Sequence, residues 1–516
     1  MRTDMTMQMT LEERLGQDFG SYPELLRWHA RHRPAHPALV LDGEALDYAS
    51  LDGLVDRIAC GLQRMGLVPG AVVGLCAATS LRYVATLLGC LRAGVVFAPL
   101  SPLLASAQRE AMLADAGAAL LFTDAQLPAD DSGPRRIALD DGHWLADAGS
   151  PVPVQAQPGW VFNLIYSSGT TGLPKGIAQP WSMRWAHLQR AAHNGYGLEA
   201  VTLSATPLYS NTTLVSVLPT LALGGTVVLM RKFDAAAYLA LAERHRATHA
   251  MLVPVQYQRL LDCPDFDGRD LSSFRMKFCT GAPFKAALKA EVLRRWPGGL
   301  IESYGMTEGG GRCELAAHLF PHKLHTVGRP VEGHDIRVID EAGAELPMGA
   351  SGEIVGHAPA MMQGYHGMPE RTREVEWFDA GGKRFLRTGD TGCFDADGFL
   401  VLGDRKKDMI ISGGFNLYPR DIEAALNAHP AVAESAVVGV PSRAWGETPV
   451  AFAVPRPGVE PTSAQALQQW VNARVGKAQR LADLQWLPSL PRSEIGKVLK
   501  RELARQYSEA HPEDTL

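Results

Sequence analysis

From about residue 160 to 300 the chain alternates short apolar runs with stretches in which apolar residues recur every three to four positions. "WVFNLIY" (160–166) leads into a glycine-rich loop, and "GTVVLM" (225–230) precedes "AAAYLALAERHR" (235–246). "HAMLVPV" (249–255) follows, and "RMKFCTGAP" (275–283) precedes "KAALKAEVLRRW" (285–296). Strand and helix patterns alternating at this spacing predict βαβ units and a mainly parallel sheet. The stretch from 48 to 76, "YASLDGLVDRIACGLQRMGLVPGAVVGLC", reads the same way. In such sheets the loops leaving the carboxyl ends of the strands form the ligand crevice. "SSGTTGLPKG", "TGAPF" and "YGMTEGGG" all follow apolar runs, which predicts that they meet on one rim.

The texture changes between about 330 and 403. "HDIRVIDEAGAELPMGASGEIVGH" and "GCFDADGFLVLGD" are short runs broken by Gly/Asp turns, the pattern of an antiparallel subdomain. After "GDRKKDMIISGG" comes a compact α+β pattern. The expected fold class is therefore α/β: a large N-terminal domain of parallel-type βα sheets plus an antiparallel β subdomain, residues 1–403, followed by a small mobile α+β C-terminal domain, residues 404–516. The charged "DRKKD" is the expected linker.

Composition narrows the class. The 516 residues are 46% hydrophobic and 20% charged, as in a packed protein, and a net charge of −5 with no basic stretch argues against a nucleic-acid partner. Seven cysteines, none in a CxxC pair, read as free thiols of a reducing compartment. The N-terminus lacks the apolar core of a secretory signal. "LVSVLPTLALGGTVVLM", the most apolar long run, is interrupted by Pro219 and Gly224-Gly225, so no membrane span is expected. These features predict a cytoplasmic enzyme.

"YSSGTTGLPKG" (166–176) concentrates candidate chemistry: small residues let backbone N–H groups approach an anion, hydroxyls donate to phosphate oxygens, and Lys175 brings positive charge. It is not the common phosphate loop GxxxxGK[ST], because Pro174 precedes the lysine and Gly176 follows it. It resembles instead the phosphate loop of the adenylate-forming superfamily: acyl-CoA synthetases, peptide-synthetase adenylation domains and luciferases. The other signatures of that superfamily follow in order: "TGAP" (280–283), "YGMTE" (304–308), "RTGD" (387–390), "GDRKKDMIISGGFNLYP" (403–419) and "PRSEIGK" (491–497).

The resemblance implies a role for each matching residue. Ser167, Ser168, Gly169, Thr170, Thr171, Gly172 and Lys175 would cover the ATP phosphates, while Gly281, Ala282, Pro283 and Tyr304 would line the adenine site. Thr307 would lie near the α-phosphate, and Glu308, with Thr170, would serve Mg²⁺, which prefers oxygen ligands. Asp390 would accept hydrogen bonds from both ribose hydroxyls, with Arg405 nearby. Lys497 would be the catalytic cation that offsets the repulsion between an attacking carboxylate and the α-phosphate. Lys407 falls at the hinge, near 405–407, on which the C-terminal domain would turn for a second, thioester-forming step. Gly413, Gly414 and Trp445 would then face coenzyme A.

Amino-acid-activating members carry an aspartate that holds the substrate ammonium, whereas "ATPLYSNTTL" (205–214) has no acidic residue. An amine substrate is disfavoured, since a buried ammonium needs a partner. Tyr209, Ser210 and Asn211 are candidate pocket residues, and Ser210 departs from the histidine that many acyl and aryl CoA ligases carry there. Gly309, Gly310 and Gly311 are expected to open the pocket wall for a ring or several methylenes. His318, His322 and His325 have ligand-like spacing, but Pro321 interrupts them and no carboxylate or cysteine completes a metal set.

The expected activity is thus an AMP-forming acyl-CoA synthetase using ATP, Mg²⁺ and coenzyme A on an aromatic or medium-chain carboxylic acid. The alternatives are a stand-alone acyl-AMP ligase loading a carrier protein, a luciferase-like oxygenase, or a catalytically silent nucleotide-binding homologue. The expected partners are small molecules; a carrier protein is less favoured, and a homodimer is left open.

Overall fold

Residues 162–165 of the "WVFNLIY" run are buried on both faces of the strand Val161–Ser167, as a continuous apolar run in a covered sheet should be. The computed structural model describes residues 9–124, 133–146, 149–167, 175–405, 408, 410–412, 415–417, 419–442, 445–476, 479–493 and 496–511. The strand lies in a seven-stranded sheet, parallel to Val96–Pro99, with Val72–Cys76, Ala118–Thr123 and Arg135–Ala138 continuing the parallel order. On its other side the chain returns antiparallel as Lys175–Pro180, pairing Ser167 with Lys175 and Tyr166 with Gly176. The glycine-rich loop therefore closes a hairpin instead of opening a helix.

A nine-stranded sheet carries the other apolar runs. Pro37–Leu41, Thr226–Leu229, Val201–Ser204, His249–Leu252, Met276–Cys279 and Gly299–Gly305 stand side by side in parallel. Antiparallel strands close both edges, Glu44–Asp47 at one and Arg312–Ala316 with Arg329–Pro330 at the other. The expected parallel βα pattern holds in the interior of both sheets. The edges depart from it, because a short hairpin can close an edge where a parallel strand would need a crossover. Helices Ala235–Arg244 and Ala286–Arg295 fall on the helical runs read from sequence, the first capped by Asp234, whose carboxylate accepts from the Ala237 amide at 2.8 Å. Trp185, Phe162, Leu218 and Val227 belong to one large core, each such side chain contributing roughly 2–3 kcal/mol by burial. The Gly299–Gly305 strand is further fixed by a buried Lys289–Glu302 ion pair, whose ammonium also donates to the Leu324 and Thr326 carbonyls at 2.8 and 2.9 Å.

The chain divides into two compact units, Met1–Ile336 with Gly356–Leu386, and Arg337–Val355 with Arg387–Leu516. In the second, the strand Arg384–Phe394, which enters it at Arg387, pairs antiparallel with Leu400–Arg405, as the Gly/Asp turn pattern predicted. The second unit also holds a sheet built on the long antiparallel pair Val432–Ser442 and Gly446–Pro455. Helices Pro419–Asn427 and Ala464–Asn472 supply Ile422, Leu426, Leu467 and Val471 to a core with Val437 and Ala451. Leu503 and Tyr507 of helix Lys500–Ala510 pack instead with Val438 and Phe452, whose side chains alternate with Val437 and Ala451 along the strands. Among the described residues no helix is long and apolar enough to cross a membrane.

Candidate active site

The end of the glycine-rich hairpin meets the "YGMTE" loop through a tyrosine that sequence reasoning missed. Lys175 Nζ lies 4.9 Å from the ring centroid of Tyr365, and the Tyr365 hydroxyl donates to Glu308 Oε1 at 3.0 Å. Burial and the neighbouring Glu308 charge push the Tyr365 phenol upward, so it stays a proton donor. Glu308 is fixed also through its backbone, whose carbonyl accepts from the Met362 amide at 2.9 Å. Gln179 Nε2 donates to the Thr307 carbonyl at 2.7 Å. Lys175, Thr307 and Glu308, 133 residues apart in sequence at most, are thereby tied to the same two strands, Lys175–Pro180 and Gly364–Tyr365. Ser168, Gly169, Thr170, Thr171 and Gly172 lie outside the described residues; Ser167 ends its strand.

The "TGAP" segment leaves the Met276–Cys279 strand beside Gly299–Gly305, and Thr280 Oγ1 donates to the Ser303 carbonyl at 2.8 Å. Gly281 has φ of +90°, a left-handed turn that side chains disfavour, and Ala282 and Pro283 follow it at the surface or half-buried. Tyr304 sits at the end of the neighbouring strand, paired with Cys313. The "TGAP" and "YGMTE" loops thus leave adjacent parallel strands at the same end.

Behind this rim lies a buried guanidinium. Arg184, 1% exposed, donates to Asn163 Oδ1 at 3.0 Å, Gln179 Oε1 at 2.5 Å and Asn211 Oδ1 at 2.9 Å. Burial pulls it down to about 10, which leaves it charged at neutral pH, and it has no carboxylate partner among the described residues. Through Gln179 it joins Thr307 to Asn211, the first residue of helix Asn211–Ala222. Ser210 is the helix N-cap by position, but its buried side chain makes no capping hydrogen bond; Tyr209 is half-buried before it.

The glycines after "YGMTE" do not open space. A Cβ on Gly309 would lie 2.7 Å from Met183 Cε, one on Gly310 2.7 Å from Leu386 Cβ, and one on Gly311 would collide with Ile336. Their missing side chains are filled by neighbours, so they serve close packing, contrary to the expectation of a pocket wall. One helical turn past Asn211 a small cavity, of about 30 Å³, is lined by Val215, Met251, Phe278 and Tyr196, with Arg190 and Arg312 among its polar residues. His318 Nδ1 contacts the backbone of Leu300.

In the second unit, Asp390 and Arg405 face each other across the antiparallel pair, fifteen positions apart in sequence. The Asp390 amide donates to Thr388 Oγ1 at 3.1 Å, which fixes the stretch of strand carrying its half-buried side chain. Lys497 sits in a tight loop where Ser493 N donates to its carbonyl at 2.8 Å and its own amide donates to Ser493 Oγ at 3.2 Å. Arg492 braces that loop by donating to the Gly496 carbonyl at 2.6 Å and pairing with Glu434. Trp445 is 60% exposed. Lys407, Gly413 and Gly414 lie outside the described residues.

Residues 26–366 match the family model of the AMP-binding enzyme, and residues 421–497 that of the AMP-binding enzyme C-terminal domain. The chain is 35% identical over 502 residues to a feruloyl-CoA synthase of an Amycolatopsis species, covering 95% of this chain and 99% of that protein. It is 33% identical over 499 residues to a fatty acid–acyl-carrier-protein ligase of Streptomyces coeruleorubidus, covering 93% and 95%. Among solved structures, o-succinylbenzoate–CoA synthetase from Bacillus subtilis in complex with its acyl-adenylate intermediate matches with a TM-score of 0.82 and 28% identity, over 93% of this chain and 98% of that one.

Proposed function

The chain belongs to the AMP-binding enzymes of the adenylate-forming superfamily and is an AMP-forming CoA ligase, and on that premise we propose that it activates an aromatic carboxylic acid to an acyl-adenylate and transfers the acyl group to coenzyme A. Its cosubstrates are ATP and coenzyme A, with Mg²⁺. The observation that carries the reading is the hydrogen-bonded chain from the Thr307 carbonyl through Gln179 and Arg184 to Asn211, which sets the phosphate-handling loop in register with a cavity bordered by Tyr196, Phe278 and Met251. The similarity to a feruloyl-CoA synthase supports an aromatic acid over a medium-length aliphatic one.

In the first step an oxygen of the acid forms a bond to the α-phosphorus while the bond to the bridging oxygen of pyrophosphate breaks. Lys497 supplies the cation between the two anions, Lys175 and the glycine-rich loop hold the departing phosphates, and Thr307 contacts the α-phosphate. Tyr304 and the 281–283 segment take the adenine, and Asp390 and Arg405 take the ribose. Glu308 fits a hard cation: it is a half-buried carboxylate that keeps acceptor capacity beyond its single Tyr365 bond, and Mg²⁺ held there would neutralise charge on the pyrophosphate. In the second step the thiol attacks the acyl carbon and AMP leaves. We place the functional boundary near residue 404 with Lys407 as hinge, and Lys407→Pro should slow chiefly thioester formation. We assign the reaction to the cytoplasm, in keeping with seven free cysteines.

Pyrophosphate release measured over a panel of aromatic and aliphatic acids, with and without coenzyme A, tests the reading. Release with cinnamic-type acids followed by thioester formation is expected. Release without thioester would favour the second reading, loading of a carrier-protein thiol, which the similarity to an acyl-carrier-protein ligase supports. Absence of release with every acid would remove the proposal.

A further inference from the structure

Asp115 is the last residue of helix Ser106–Asp115, where a carboxylate faces the negative end of the helix dipole and is disfavoured. Its Oδ2 accepts from the Tyr166 hydroxyl at 2.7 Å. Tyr166 stands one residue before the end of the strand Val161–Ser167, and its half-buried ring packs beside the buried Leu100, Met112, Leu113 and Leu121. Burial, and the Asp115 carboxylate it bonds, push the phenol upward, so it remains a donor. The same ring reaches across the hairpin. A Cβ on Gly176, the cross-strand partner of Tyr166, would lie 3.1 Å from both Cζ and the hydroxyl oxygen of that ring. Gly176 does not have the positive φ that would demand glycine for its backbone, so the missing side chain makes room for the phenol.

The Gly176 carbonyl in turn accepts from the His366 amide at 2.7 Å, next to Tyr365, whose hydroxyl holds Glu308. Asp115, Tyr166, Gly176 and His366 thus form one run of contacts across the base of the hairpin, one cross-strand pair before Ser167 and Lys175. A tether that served stability alone could be made anywhere along the two strands, and a base at position 115 would suit the helix end better than an acid. We propose that Asp115 and Tyr166 are a positioning pair for ATP: their hydrogen bond fixes the strand end from which Ser167 and Lys175 are presented to the departing phosphates. This rests on the reading of residues 166–176 as the phosphate loop. Neither member of the pair touches the nucleotide; both act through the strand end.

Pyrophosphate release measured with varied ATP and saturating cinnamate tests the pair. In Tyr166→Phe and in Asp115→Ala, KM for ATP should rise about tenfold while kcat stays within about twofold of the native value. The double variant should be no worse than either single one, because both remove the same bond. Asp115→Asn, whose amide oxygen still accepts from the phenol, should keep KM within about threefold of native. KM does not depend on how much of a variant is folded, and Asp115, half-buried at a helix end, gives a second approach should Tyr166→Phe fold poorly. An unchanged KM for ATP in both single variants, losses that add in the double variant, or a fall confined to kcat overturns the proposal. Calorimetric titration with ATP and Mg²⁺ in the absence of acid separates it from the acid-activation reading. Weaker ATP binding by Tyr166→Phe, with no pyrophosphate released by the native protein on any acid, upholds the pair and sinks that reading. Release by the native protein, together with equal ATP binding by native and variant, does the reverse.

Discussion

Ser303 and Thr307 lie four residues apart on one strand and its loop, yet they belong to regions built on opposite plans. At Thr307 the rim is made by loops, and its functional groups are held through backbone atoms: the Thr307 and Glu308 carbonyls are both tied down. At Ser303 the cavity is made mostly by side chains from regular elements, the helices Trp181–His193 and Asn211–Ala222 and four strands of the nine-stranded sheet, with Asn194 and Tyr196 added from the segment after the first helix. On the proposed assignment, the contrast teaches where each function can vary: the loop that handles phosphate is held through its main-chain carbonyls, whereas acid preference would fall to side chains that single substitutions replace.

Lys497→Ala should break this contrast most severely. Loss of the cation proposed to lie between the attacking carboxylate and the α-phosphate is expected to lower adenylate formation by roughly 100-fold or more whatever the acid, leaving thioester formation from a synthetic acyl-adenylate within a few-fold. Equal loss in both half-reactions would contradict the role. Arg184→Met probes the link between the two regions. It removes a donor from three amide oxygens, of which Gln179 Oε1 keeps a bond from Asn163 Nδ2, and should cost roughly 2–3 kcal/mol in urea unfolding, with a fall in kcat/KM for every acid. A neutral outcome would show that rim and cavity are held independently.

Tyr365→Phe removes only the hydroxyl that orients Glu308 and leaves the ring beside Lys175. About a fivefold loss is expected, seen as a raised Mg²⁺ requirement; an unchanged Mg²⁺ dependence would take Glu308 out of the metal role. The smallest effect concerns the helix that carries Asn211 and Val215. His29 Nε2 donates to the carbonyl of Ala222, that helix's last residue, at 2.9 Å, and burial holds the imidazole at about 4, below its ordinary 6.5. Between those values the unfolded chain binds the proton and the folded one does not, so stability falls as pH drops from 6.5 towards 4, by about 1 kcal/mol per unit. His249 and His334, likewise held low by burial, add to the fall, so unfolding measured at pH 7 and pH 5 should show a slope that His29→Gln reduces by about 1 kcal/mol per unit.

The rim was legible in sequence because its constraints are local: a glycine needed at φ of +90°, or a hydroxyl-rich loop on a strand end, leaves the same short string wherever it occurs. Asp390 and Arg405 stand in equally local strings, but their cross-strand pairing was not readable from them. Tyr365 escaped because its only trace is a tyrosine between glycines in "QGYHG", and its partner Glu308 is 57 positions away. Arg184 left a fainter trace, a charge between Trp181 and Trp185 on a buried helix face. The triple glycine was misjudged because a missing side chain marks either an opening or a close contact, and only the positions of Met183, Leu386 and Ile336 decide which. The hairpin at Ser167–Lys175 was likewise hidden, since strand direction is set by partners the pattern does not name.

The Arg184 junction has a consequence for anyone redesigning this enzyme. Asn211, one turn before the cavity-lining Val215, is the obvious position to vary when altering acid preference, yet it shares a donor with Gln179, which holds the Thr307 carbonyl. A change of selectivity made there will arrive coupled to a change of turnover. Libraries confined to Val215, Met251 and Phe278, which take no part in that junction, should explore new acids without that penalty.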